Sequence, residues 1–405
     1  MHVQRLRKDR GLTQKQLAVR MEKTDSWMSQ VERGVQPVER MDVLQGLADA
    51  LGVSVQQLRP GAPLPSDTTS NVPALVFKAN DLDEARVLIS GHPAVGALLG
   101  AVRQAPGKSL DQLEAAVEEM WELTHAGEFA DVSARLTDLL PDLEQAVRIV
   151  DAEQSARAYL LLSRTYQALA AAFVRQDQAD AAWVAADRAV WAAERSGQPL
   201  HVCASVFRMV QAFVRLRKHD QAEHAARTSI AALIELDQRE GLSVEGLSVL
   251  GSLHLALALV HARVHRRSEA REEIGRARAV AQRIGEDRND FNLEFGPTNV
   301  EIQAVSAAVD LGDAGEALDI GTAINAEALS PERQGRLYMD LGRAYAQRRS
   351  IGDAVQCLLR AEKLIPETVR THVAARKAIR ELVLLEGAST PPELMALAER
   401  ADAME

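Results

Sequence analysis

The sequence predicts an all-α chain in two parts, a small helical head and a long helical-repeat body. Three observations predict it. Beyond residue 73, apolar residues recur at i, i+3, i+4 and i+7 almost without pause. β-Branched alternation and the Asn-Gly or Asp-Gly dipeptides of tight hairpins are missing from the sequence. And 405 residues exceed the roughly 250 to 300 at which one core stops growing, so the chain must divide.

The division falls at Arg59 to Pro73, RPGAPLPSDTTSNVP, where Pro60, Pro63, Pro65 and Pro73 interrupt any helix. Residues 1–59 are thus the head, 60–73 a linker and 74–405 the body. The head carries a charge of +3 and leaves −13 to the rest of a chain whose net charge is −10, a mildly basic module on an acidic one. Composition, at 47% hydrophobic and only 4% aromatic, excludes a disordered chain and an aromatic-rich carbohydrate or single-strand binder. Cys203 and Cys357 stand 154 residues apart and form no CxxC pair. With no apolar signal core and no run of eighteen apolar residues, a cytoplasmic protein without a membrane partner is expected.

In the head, RLRKDRGLTQKQLAVRMEKTDSWMSQVERG is followed by LADALGVSVQQL. Thr13 is placed to cap a helix that buries Leu17 and Met21, with Ala18 small where two helices cross. Thr24 is placed to cap a second helix that buries Met28 and Val31, and Gly34 to end it. The segment resembles the five-helix phage-repressor-like helix-turn-helix domain of the XRE family. That resemblance implies duplex DNA as a partner and lays the outer side of the second helix in the major groove. It assigns Thr24, Asp25, Ser26, Trp27, Ser29, Gln30 and Arg33 to that side, and Gln14 to a phosphate at the start of the first helix. Gln30 is the candidate for a paired contact to adenine. Glu22, in the turn where the family has Gly, is expected at φ > 0.

In the body, Tyr338, Leu341, Gly342, Tyr345, Ala354, Leu358, Ala361 and Pro366 resemble the tetratricopeptide pattern. Small residues sit where two antiparallel helices approach. Ala130, Ala182, Ala222, Ala270 and Ala317 are expected to match Ala354. The body is then a tetratricopeptide-like α-solenoid of five to seven hairpins, capped by 367–403.

Other motifs carry less. His254, His261 and His265 form a stripe, yet Ala262 stands where a metallohydrolase needs its Glu, and aromatic-type core packing is the expected role. Gly107-Lys108-Ser109 lacks the leading Gly of a phosphate loop, and Ser109 is expected to cap a helix. No Gly-x-Gly occurs, and no catalytic constellation stands above background. Neither enzyme activity, nor a cofactor, nor a metal is expected.

The concave face is more informative. Arg175, Arg215 and Arg263 occupy one position in three successive hairpins, and such a ladder would present permanent charges to a carboxylate or phosphate unless neighbouring acids pair with it. Arg164, Gln167, Phe207 and Gln211 are further groove positions, as are Asn299, Arg336, Met339 and Arg343. The insertion DFNLEFGPTNV, which contains Phe295 and Asn299, either gates that groove or simply turns the chain, with Thr298 capping the next helix. An XRE head on a tetratricopeptide body is similar to actinobacterial regulators and to cytosolic quorum-sensing regulators. That implies a homodimeric transcription regulator whose groove takes a peptide or a small anionic effector. The alternative is a repeat protein acting through a protein partner, with the head as a docking or dimerisation module.

Overall fold

The computed structural model describes residues 2–10, 12–21, 28, 29, 31, 32, 47, 50, 51, 53, 80–91, 108–325, 327 and 330–404. Helices joined by turns make up these residues, with one isolated bridge, between Arg288 and Phe295. The chain separates into two compact units, Met1–Phe77 and Lys78–Glu405.

In the first unit, α1 (His2–Asp9) and α2 (Gln14–Arg20) are joined by a turn whose Thr13 closes a capping box. The Gln16 amide N–H donates to Thr13 Oγ1 at 3.2 Å, and the Thr13 N–H donates to Gln16 Oε1 at 2.8 Å. Leu17 and Ala18 are buried with Met28, Leu47 and Leu51. A buried ion pair, Arg7 Nε to Glu32 Oε1 at 2.5 Å, crosses this core, and Arg7 Nη1 also donates to the Leu12 carbonyl.

The second unit opens with α3 (Asp83–Ser90). Six antiparallel hairpins follow: α4 (Leu110–Ala126) with α5 (Phe129–Ile149), α6 (Ala152–Arg175) with α7 (Ala179–Ser196), α8 (Pro199–Arg215) with α9 (His219–Glu240), α10 (Val244–Arg263) with α11 (Arg267–Ile284), α12 (Pro297–Leu311) with α13 (Ala314–Gly321), and α14 (Pro331–Gln347) with α15 (Ile351–Leu364). Three shorter helices close the unit: α16 (Pro366–Thr371), α17 (Val373–Glu386) and α18 (Pro392–Arg400). One turn recurs between paired helices. The amides of Gln178, Lys218, Arg266, Asp313 and Ser350 donate back to the carbonyls of Phe173, Phe213, His261, Ala308 and Tyr345. The residue before each of these donors adopts positive φ: Asp177, Arg217, His265, Gly312 and Arg349. This is the six-to-one bond of a Schellman turn, held here mostly by non-glycine residues at roughly 1 kcal/mol each.

Past each such turn, the fourth residue of the second helix is small and buried: Ala182, Ala222, Ala270, Ala317 and Ala354. In the first hairpin that place belongs to buried Val132, while Ala130 is half-buried. The expected anchor there is two residues off, because α5 starts at Phe129 and uses Val where the other hairpins use Ala. Gly342 is a close approach: a Cβ there would stand 2.7 Å from Leu358 Cγ and 3.2 Å from the Ala354 carbonyl. Among the described residues α10 alone is long and apolar enough to cross a membrane, and it is a central core helix, 83% of its apolar window being buried. The array turns back on itself, since α16 packs against α6.

Candidate functional site

In the head, Gln14 starts α2, but its Nε2 donates to Glu32 Oε2 at 3.0 Å, so its amide is engaged within the domain. Ser29 is half-buried and lies in a helical segment. Thr24, Asp25, Ser26, Trp27, Gln30 and Arg33, with Glu22 and Gly34, lie outside the described residues. The described part of the head comprises a capped α2, a buried Leu17–Met28 core, and the Arg7–Glu32 pair that ties α1 to the segment carrying Met28 and Val31.

In the second unit, the first helices of successive hairpins surround a partly open cavity of about 150 Å³. Each helix contributes a polar stripe at helical spacing on an otherwise apolar face. From α8 come Arg208, Gln211 and Arg215; from α12, Asn299, Gln303 and Ser306; from α14, Glu332, Arg336, Asp340 and Arg343. Trp121 and His125 of α4 and Ser252 of α10 join them, and His372 closes the wall from the end of α16. The sequence ladder is split by its surroundings. Arg175 pairs with Glu332, 157 residues on, and donates to the Thr124 carbonyl, forming the seam where the array meets itself. Arg263 Nε pairs with Asp310 Oδ2 at 2.6 Å, and Asp310 occupies the ladder position of the next hairpin. Arg215, between them, makes no hydrogen bond with a described residue and has only the half-exposed Asp177 at 3.8 Å.

Arg208 is buried against the faces of Trp121 and Phe207, its guanidinium carbon 5.4 and 5.3 Å from the ring centres. Among the described residues its hydrogen bonds go only to neutral acceptors, Gln211 Oε1 at 3.3 Å and the Asn292 carbonyl at 2.7 Å, and its Nε has no partner there. Burial, with Arg175 beside it, lowers its pKa to about 9, and burial, with Arg336 beside it, lowers that of Arg215 to about 10. Both remain charged at neutral pH. Burial also holds His125 and His372 below the usual histidine range, with arginine charges adding to it, so both rings are neutral there. Buried polar atoms without a partner gather on this wall: Trp121 Nε1, Ser252 Oγ, Asn299 Oδ1 and Asp340 Oδ2 besides Arg208 Nε.

The insertion at 286–296 forms one side of the cavity. Asn292, Leu293 and Glu294 line it, Arg333 binds the Leu293 carbonyl and the Glu294 carboxylate, and Phe291, Asn292 and Glu294 all adopt positive φ. Phe295 does not face the cavity. It is wholly buried against Gly251 of α10, where an added Cβ would stand 2.0 Å from its ring. Met339 is likewise a core residue. Gln167 is buried and donates to Ser163, and Arg164 pairs with Glu118, so neither lines the cavity. Thr298 does not cap α12: its own N–H donates to Asp287 Oδ1 at 3.0 Å, which does the capping from the preceding turn.

The remaining motifs are structural. His254 Nδ1 lies 2.6 Å from Glu273, His261 is buried, and His265 is the exposed turn residue, so the three do not converge. No group of His, Cys, Asp and Glu suited to a metal exists among the described residues. Ser109 caps α4 in a full capping box, and Lys108 pairs with Asp142. Sequence reasoning missed Arg208, Trp121, His125, Ser252, Glu332 and His372. The stripe Arg208–Gln211–Arg215, at i, i+3 and i+7 inside an apolar helix, is the signal that could have found the first.

Residues 1–60 match a family model described as a helix-turn-helix domain. No curated protein matches the chain. The match supports a DNA-binding regulator rather than an enzyme.

Proposed function

We propose that this chain is a homodimeric transcription regulator whose tetratricopeptide-type body takes a small anionic effector in its central cavity. The observation that carries the effector half is an imbalance of charge. Arg208, Arg215 and Arg336 stand around this cavity with no carboxylate among the described residues hydrogen-bonded to any of them. Taking an uncompensated guanidinium out of water costs on the order of several kcal/mol, and a bound anion would offset it. A peptide, the effector that the family resemblance implies first, needs an open groove. Here the Arg175–Glu332 seam and the contact of α16 with α6 narrow the groove to a partly open cavity, and about 150 Å³ is the size that holds a benzene-sized group. A small ligand therefore fits better than a peptide.

The effector would act by binding one closure of the ring better than another, which biases how two heads are presented to an operator. Selection of duplexes from a random pool by the full chain should recover a two-fold site with half-sites about one helical turn apart. Gln30→Ala should then lose roughly 1 to 3 kcal/mol at one base position and change binding to unrelated duplex little. Recovery of no preferred sequence would remove the DNA-reading assignment.

A further inference from the structure

We infer that the Arg215–Arg336 end of the cavity is a subsite for a doubly charged phosphoryl oxyanion, either free phosphate or a phosphate monoester. This rests on the small-anion reading above and narrows it to a ligand class. The cavity has two ends with different charge. At the Trp121 end, Arg175 pairs with Glu332 and Arg333 with Glu294, which leaves Arg208 as the single guanidinium in excess. At the other end, Arg263 and Arg343 share Asp310, and Arg343 also holds Asp340. Arg215 and Arg336 remain there, two guanidiniums without a matching carboxylate in hydrogen-bond reach.

The donors at this end are unspent. Arg336 makes no hydrogen bond or ion pair with any described residue, although Glu332 and Asp340 are near enough for their charges to act on it. Arg215 has only Asp177 at 3.8 Å. His372 adds a third donor without adding charge. Its Nδ1 accepts the Ala375 N–H at 3.3 Å as the cap of α17, so the neutral ring carries its proton on Nε2. Burial, and then the charges of Arg215, Arg336, Arg343 and Arg263, keep it neutral. One carboxylate would neutralise only one of the two free arginines and use two or three of their donors. A phosphoryl group carries close to two charges at neutral pH and three acceptor oxygens, which matches two guanidiniums and one imidazole N–H.

The test is differential scanning fluorimetry of the full chain with inorganic phosphate, phenyl phosphate, benzoate, and sodium chloride at matched ionic strength. A saturable rise in melting temperature with either phosphate, beyond that in chloride, is expected. Phenyl phosphate acting at lower concentration assigns the monoester, which reaches the Trp121 end; inorganic phosphate acting at lower concentration assigns the free anion. Arg215→Gln and Arg336→Gln should each raise the ligand-free melting temperature, because each removes a partly buried charge that no carboxylate hydrogen-bonds, and weaken phosphate binding about tenfold or more. Lower ligand-free stability with an unchanged phosphate response in both variants would overturn the inference, as would no saturable response to either phosphate. The two readings fail separately. Phosphate that binds without changing DNA affinity removes the effector role and leaves the subsite, whereas benzoate that changes DNA affinity while phosphate does not bind removes the subsite and leaves the effector role.

Discussion

Arginines on the exposed face of the repeat body and arginines on its cavity wall belong to one sequence pattern and live in opposite environments. On the exposed face, Arg267 pairs with Asp313, Arg271 with Glu316 and Arg278 with Glu301, each a link between neighbouring hairpins. On the cavity wall, Arg208 has only neutral acceptors, Arg215 a distant aspartate, and Arg336 no hydrogen-bonded partner among the described residues. Water would stabilise the exposed charges even unpaired, so their partners add little; the inner ones have less water around them and lack a carboxylate. Identical residues thus serve as solvated ties in one place and as charges without a hydrogen-bonded carboxylate among the described residues in the other.

Removing a shared carboxylate from the inner wall should produce the largest effect. Asp310 is buried, and although burial raises its pKa, Arg343 and Arg263 outweigh this and hold it below the usual carboxylate range. Asp310→Asn should lower unfolding free energy by about 3 to 5 kcal/mol in urea denaturation, because Arg263 loses its carboxylate and Arg343 keeps only Asp340. A loss under 1 kcal/mol would make the inner and outer arginines equivalent.

Acid should separate the regions next. Burial, then Arg164, lowers the pKa of His201 to about 4. Between pH 6.5 and 4 the unfolded chain binds a proton at this residue that the folded chain refuses, so stability falls as pH falls through that window, by roughly 2 to 3 kcal/mol for this group. Melting curves from pH 7 to 4.5 should show the fall, and His201→Gln should flatten it. An equal slope in the variant would place the acid sensitivity elsewhere.

Gly251→Ala should follow, at about 1 to 3 kcal/mol, since Phe295 must move out of its seat on α10 and carry the 286–296 segment with it. A full-strength thermal transition would mean that the seat is soft. The smallest effect belongs to the outer face. Arg278→Ala breaks two contacts of 2.7 Å to Glu301, yet should cost only about 0.2 to 1 kcal/mol by chemical denaturation, and less in high salt.

The fold was legible because helical period and small-residue spacing are local properties. Ala182, Ala222, Ala270, Ala317 and Ala354 marked second helices correctly, and Thr13 and Ser109 marked caps. Ala130 misled because size alone does not distinguish a half-buried small residue from the buried position two residues later. The cavity was legible only as a direction. Arg215, Arg263 and Arg175 were placed on one line, but whether each is paired depends on Asp310 and Glu332, which lie 47 or more residues away and come close only when the array closes. Arg208 and His372 depend on the same closure. Phe295 was misassigned because an insertion with two aromatics reads as a gate, and only Gly251 on another hairpin shows that one of them is a fixed core residue.

The central claim joins the cavity to the DNA head, and one measurement addresses it directly. The full chain is bound to its selected duplex and followed by fluorescence anisotropy while phenyl phosphate is titrated to saturation. A change in DNA affinity of about fivefold or more in either direction is expected, and in Arg215→Gln the same change displaced to about tenfold or more higher phenyl phosphate. DNA affinity that stays constant while fluorimetry shows the ligand bound would contradict it.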